Sequence, residues 1–166
     1  MNQKKVYNRV IESGGKHLSE LQVSDKYTTN QQPSVSLFGY ELIRDDLLSE
    51  LLGKDAPEIL YWAGKKLARK YPLYTMDEII AFFHEANWGI LSIKEEKRKE
   101  ICLSLTGELV SNRLQKDKNC TFQLEAGFLA QQIEWQKKVV SEAFEHPNKR
   151  SNIIQFTIKW DSHDAV

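Results

Sequence analysis

The stretch Phe38–Leu73, FGYELIRDDLLSELLGKDAPEILYWAGKKLARKYPL, constrains the fold most, because it predicts two helices joined by a sharp turn. In the first, Tyr40, Ile43, Leu47, Leu48, Leu51 and Leu52 recur at three- and four-residue spacing, which predicts one buried apolar face. Gly53 stands where a left-handed residue ends a helix without a Cβ clash. Asp55 and Glu58 then have the spacing of a capping box, with Pro57 tolerated in the first turn. Ala56, Leu60, Ala63, Gly64, Leu67, Ala68 and Tyr71 form a small-residue stripe on the second helix, with Ile59 and Trp62 to its side. A glycine inside a helix costs about 1 kcal/mol relative to alanine, so Gly64 predicts close approach of another backbone. Lys65, Lys66, Arg69 and Lys70 crowd the end of this helix, where its dipole favours cations, and Tyr71-Pro72 stops it.

Around this hairpin the chain divides simply. Residues 1–35 are polar and irregular and read as a flexible N-terminal arm. A single domain is expected over 36–161, and a polar tail over 162–166. Thr75 and Glu78 predict a second capping box, opening a helix to about Ala86 whose inner face carries Met76, Ile79, Ile80 and Phe83. Trp88, Ile90 and Ile93 suggest a strand, the charged run Lys94–Glu100 a loop or strand tip, and Ile101, Leu103 and Leu105 an antiparallel partner. A short helix around Leu109–Leu114 leads to a longer one over Phe122–Gln136, apolar on two sides. Two strands follow, Val140–Phe144 with Glu142 between apolar neighbours, and the clean alternation Ile154, Phe156, Ile158, Trp160. The order α-α-α-β-β-α-β-β implies an α+β fold: a four-stranded antiparallel sheet covered on one face by helices.

Charge and cysteine usage exclude several classes. Lys plus Arg and Asp plus Glu both total 23, so no net charge draws the chain to nucleic acid or to an acidic membrane. No apolar run has the length of a membrane span and no secretory signal is visible, so a cytoplasmic location is expected. Cys102 and Cys120 are too few for a disulfide framework and lack metal-ligand spacing.

No catalytic residue is assigned. There is no nucleophile elbow and no phosphate-cradling glycine loop, and His84 has no Cys, His or carboxylate one turn away. No metal and no cofactor are expected. Glu125 and Glu142 stand among apolar residues, and a buried carboxylate must pair or shift its pKa; Arg44 and Arg113 are the candidate partners. The basic cluster at 65–70 lies beside Tyr61, Trp62 and Tyr71, but aromatic residues at helical spacing belong more often to a core than to a nucleic-acid surface.

The runs GYELIRDDLLSELLGKDAPEILYWAGKKLARKYPL, LTGELVSNRL and FQLEAGFLAQQIE resemble the YslB-like family of uncharacterised small proteins from Gram-positive bacteria. The resemblance covers about Phe38–Asp161. That family is similar in fold to vinyl-reductase-type, TRAPP-subunit and haem-type nitric-oxide-sensor domains. It thus implies a TRAPP-subunit-like arrangement of helices on a four-stranded sheet, several members of which enclose an apolar cavity. The zinc cysteines of some vinyl-reductase-type domains are not reproduced, and the Tyr-x-Ser-x-Arg haem-propionate motif is absent. The expectation is a non-enzymatic domain binding a small apolar molecule between helices and sheet. Tyr40, Trp62, Phe128, Leu129 and Trp135 would line that site, with Arg44 and Glu125 as polar anchors. The alternative is a structural or adaptor module, forming a homodimer through the helical hairpin and docking a protein partner.

Overall fold

The computed structural model describes residues 36–117 and 120–165, with side chains up to Asp161. The expected N-terminal arm, 1–35, lies outside the described residues. The first helical run, α1 (37–52), begins as the α-helix Leu37–Glu41, widens into a π-helical turn at Leu42–Leu47 and closes as Leu48–Leu52. Gly53, at φ 57°, ends it, and a 3-10 turn leads into α2 (Ala56–Lys70). Then come α3 (Met76–Glu85), β1 (Ile90–Glu96), β2 (Glu100–Thr106), α4 (Glu108–Lys116), α5 (Gln123–Lys137), β3 (Val139–Asn148) and β4 (Ile153–Ala165). The strands form one antiparallel sheet in the order β1-β2-β4-β3. This is the α+β architecture that the periodicities imply.

The core sits between this sheet and the helices. Cross-strand pairs Ile101↔Ile158, Leu103↔Phe156 and Leu105↔Ile154 turn the same way and are fully buried. Above them lies α5, in which every residue from Glu125 to Ile133 is buried, as its two apolar sides predict. α2 packs across α5 and α3 packs on β1. A Cβ on Gly64 would stand 2.1 Å from the Leu124 carbonyl oxygen, and one on Gly127 would stand 1.9 Å from that of Tyr61. The two helices therefore cross backbone to backbone, which is the reason for a glycine inside each. The second backbone that Gly64 predicts belongs to the same chain.

Capping agrees in one place and differs in another. The Thr75–Glu78 box is complete, with both reciprocal bonds present. Asp55 makes no side-chain cap bond, because the 3-10 turn bends the backbone away from extended geometry to φ −89°, ψ 2°. Nor do the basic residues of α2 serve only its own dipole: Lys65 reaches Glu134 at 3.2 Å and Arg69 reaches Gln131 at 3.0 Å, both on α5.

Three further expectations need correction. The predicted stripe of α1 is split: Ile43 (61%), Leu47 (51%) and Leu51 (70%) are exposed, while Tyr40, Leu48 and Leu52 are half-buried and Tyr40 packs against the core. On β3 the core side carries Ser141 and Ala143, while Val140, Glu142 and Phe144 are exposed. Small residues fit there because α5 lies close above: the Ser141 hydroxyl donates to the Ala130 carbonyl at 2.6 Å. Finally, β4 continues beyond Asp161 to Ala165 through the stretch read as a polar tail, with Ala165 opposite Val139.

Candidate functional site

Charge gathers under α1. The π turn carries Arg44 and Asp45 in succession, and both turn toward the body of the domain. Arg44 Nη2 donates to Glu125 Oε1 at 2.6 Å and its Nη1 to the Tyr40 hydroxyl at 2.8 Å. Arg113, on α4, donates from Nε to Asp45 at 2.8 Å, from Nη1 to Glu125 Oε1 at 3.5 Å and from Nη2 to the Thr121 carbonyl at 2.8 Å. Glu125, in the first turn of α5, is fully enclosed. Both arginines expected as its partners are its partners. Their guanidinium planes also rest on aromatic rings, Arg44 5.7 Å from the Trp88 centroid and Arg113 4.1 Å from that of Phe122.

Two cations and two carboxylates balance, so the cluster can be dry without a net buried charge. Burial pulls the Arg44 pKa down, but Glu125 and Tyr40 outweigh it and leave it above its ordinary value. The Tyr40 phenol is raised by burial, against the pull of Arg44, and so stays protonated. Two oxygens in the cluster, Asp45 Oδ2 and Glu125 Oε2, have no hydrogen-bond partner among the described residues. A buried acceptor left without a donor costs about 1–3 kcal/mol.

Beside the cluster opens a cleft of about 600 Å³, whose polar walls carry Arg44, Asp45, Arg113 and Thr121 and whose apolar lining includes Leu60 and Leu124. Cys120 also borders it; burial raises its thiol pKa, outweighing Arg113, so it is no ready nucleophile. Among the described residues no group of three or more His, Cys, Asp or Glu is placed to hold a metal ion. His84 and Glu142 are exposed.

The residues singled out by sequence separate into three places. Tyr40, Arg44, Glu125 and Phe128 are brought together: Phe128 packs edge-on against Trp88, 5.3 Å between centroids, and stacks on Phe82 at 4.6 Å. Leu129 is enclosed in the core. Trp62 and Trp135 are exposed, 59% and 38%, away from any interior. Asp45 and Trp88 belong to the cluster but were not singled out. Asp45 follows Arg44 directly, and the wider π turn brings successive residues nearer to one side than the step of about 100° in a regular helix does. Trp88 reads as a strand residue, yet stands in the turn before β1.

An α+β domain with helices over one face of a four-stranded antiparallel sheet, and a buried charge cluster where its first helix docks, defines the class. Residues 37–159 match the family described as "Protein of unknown function (DUF2507)", and the chain belongs to that family. It is 44% identical over 132 residues to the "Uncharacterized protein YslB" of Bacillus subtilis (strain 168), spanning 80% of this chain and 89% of that relative. Among solved structures, a vinyl-4-reductase family protein from Methanocaldococcus jannaschii aligns with a TM-score of 0.60 at 15% identity, over 80% of this chain and 85% of that one. An Fe(II) unliganded H-NOX protein from K. algicida aligns at TM-score 0.48 and 12% identity, over 87% of this chain and 82% of that one. The first likeness is one of fold; the second carries no argument.

Proposed function

We propose that this domain is a non-enzymatic interaction module that forms a homodimer through the outward face of its helical hairpin. One observation carries the reading: five large apolar side chains of α1 are turned to solvent. Phe38, Leu42, Leu47 and Leu51 follow one another along the outside, and Ile43 adjoins them. On α2, Ile59 and Trp62 are exposed as well. At their exposures these seven side chains offer roughly 700 Å² of surface, against about 800 Å² per partner in a stable interface. A stripe presented on one surface of each copy suits two-fold pairing, in which the same patch serves both partners. Sedimentation of the full chain at micromolar concentration should give a dimer, and Leu47→Glu with Leu51→Glu should give a folded monomer. A wild-type monomer at tens of micromolar would end this reading.

The cleft beside Arg44 and Arg113 favours a second reading, a small molecule held between polar walls and an apolar lining. Native mass spectrometry of the protein from its source organism would reveal such a molecule as a discrete added mass that denaturation removes.

A further inference from the structure

We propose that Glu125 and the Trp88 ring form a receptor for a guanidinium group, which α1 fills with its own Arg44 and which a guanidinium from outside can occupy in its place. Glu125 is fully enclosed, yet only one of its oxygens is used. Oε1 meets Arg44 at 2.6 Å and Arg113 at 3.5 Å, while Oε2 has no partner among the described residues. A carboxylate receives a guanidinium best fork to fork, through two parallel bonds. Arg44 does not bind in that way here: Nη2 alone meets the carboxylate, at Oε1, while Nη1 donates to the Tyr40 hydroxyl at 2.8 Å. The Trp88 face lies 5.7 Å from the Arg44 Cζ and is braced by Phe83 and Phe128, both edge-on. Carboxylate and indole face together select a planar, weakly hydrated cation over a compact ammonium. Arg113 touches the carboxylate only at Oε1, at 3.5 Å, and its shorter bonds hold it to Asp45 and the Thr121 carbonyl.

The manner in which α1 is attached lets the receptor be vacated. Tyr40, Arg44 and Asp45 reach into the cluster, the Arg44 side chain being 9% exposed, while Phe38, Leu42, Ile43, Leu47 and Leu51 face solvent. Its ties to the body include three ion pairs, Arg44–Glu125, Asp45–Arg113 and Asp46–Lys116. Gly53, at φ 57°, marks a break in the helix between α1 and α2. The inference does not depend on self-association. A free guanidino compound and an arginine on a second copy's α1 supply the same group.

Arg44→Ala in the full chain empties the receptor and leaves Glu125 and Trp88 in place. Methylguanidinium should raise the melting midpoint of this variant saturably, by roughly 3–5 °C at ten times its half-saturating concentration. The wild type should need at least about ten times more, since Arg44 competes from within the chain. Urea and methylammonium at equal concentration should give no saturable shift, and Arg44→Ala with Glu125→Gln should not respond to methylguanidinium. If Arg44→Ala does not fold, Arg44→Lys, which keeps the charge and loses the fork, takes the same titration. No saturable shift, or an equal shift in the double variant, overturns the proposal. Mixing Arg44→Ala with Glu125→Gln chains separates the two sources. A mixed dimer melting above both parents assigns the guanidinium to a second copy. Rescue by methylguanidinium without a mixed dimer assigns it to a free compound.

Discussion

Arg113 ties three segments together, touching Asp45 on α1, Glu125 on α5 and the carbonyl of Thr121 before α5. Removing one member of a buried pair leaves its partner's charge uncompensated, which costs about 3–5 kcal/mol. Arg113→Ala should therefore lower the unfolding free energy by roughly that amount in urea melts, whereas Lys116→Ala, which breaks an exposed pair with Asp46, should cost under about 1 kcal/mol. Glu145 offers a test by pH. It accepts from the Thr121 hydroxyl, the Phe122 N–H and the Gln123 amide, and so receives the N-terminus of α5. Burial nonetheless raises its carboxyl pKa, outweighing these donors. A raised folded-state pKa stabilises fully below the unfolded value, and that stabilisation is lost as pH rises through the folded value. Urea melts between about pH 4 and about pH 7 should show a fall in wild-type stability that is absent in Glu145→Gln.

At the scale of elements, the crossing of α2 and α5 sets the spacing of the helical layer. A methyl group at Gly127 would overlap the Tyr61 carbonyl, which is backbone and cannot rotate aside. Gly127→Ala should cost about 2–3 kcal/mol or more by driving the helices apart, and Gly39→Ala, with nothing within 4 Å of the added carbon, serves as its control. The same helices protect the outer strand: the Ala143 N–H of β3 donates to the Tyr61 hydroxyl at 3.1 Å and the Ser141 N–H to Glu134 at 3.4 Å. Donors that would otherwise invite another strand are thus occupied. Most of this layer was legible. Alternation located β2 and β4, two-sided apolar content located α5, and a lone glycine announced the crossing. The face of α1 was misread for a physical reason. Its apolar residues lose to the Arg44 and Asp45 pairings, because Phe122, Phe128 and Trp88 already close the core beneath. A rule based on apolar spacing counts no such competition.

For the whole molecule, the fold and the candidate site were legible to different depths. Helix and strand order follows from local periodicity, which every core residue reinforces. The charge cluster joins residues 81 and 68 positions apart, Arg44 to Glu125 and Asp45 to Arg113. Its members could be named as partners, but nothing local told which oxygen would stay unused. The proposed docking surface would have a thermodynamic signature of its own. If two copies pair through α1, melting becomes concentration-dependent, and a tenfold dilution should lower the midpoint of the wild type while leaving Leu47→Glu with Leu51→Glu unmoved; scanning calorimetry at two concentrations decides it.

The π turn at Leu42–Leu47 acts as a phase shifter. It lets Phe38 and Leu42 stay in line with Leu47 and Leu51, although the middle step spans five residues. Deleting one residue within 42–47 would make the middle step four residues and keep the stripe in line on a regular helix, whereas rewinding the turn with all its residues kept would rotate everything before it by about 100°. In that second case Phe38 and Leu42 would turn away from Leu47 and Leu51. One inserted residue thus sets the angular relation between the surface this helix shows to solvent and the charges it shows to the core.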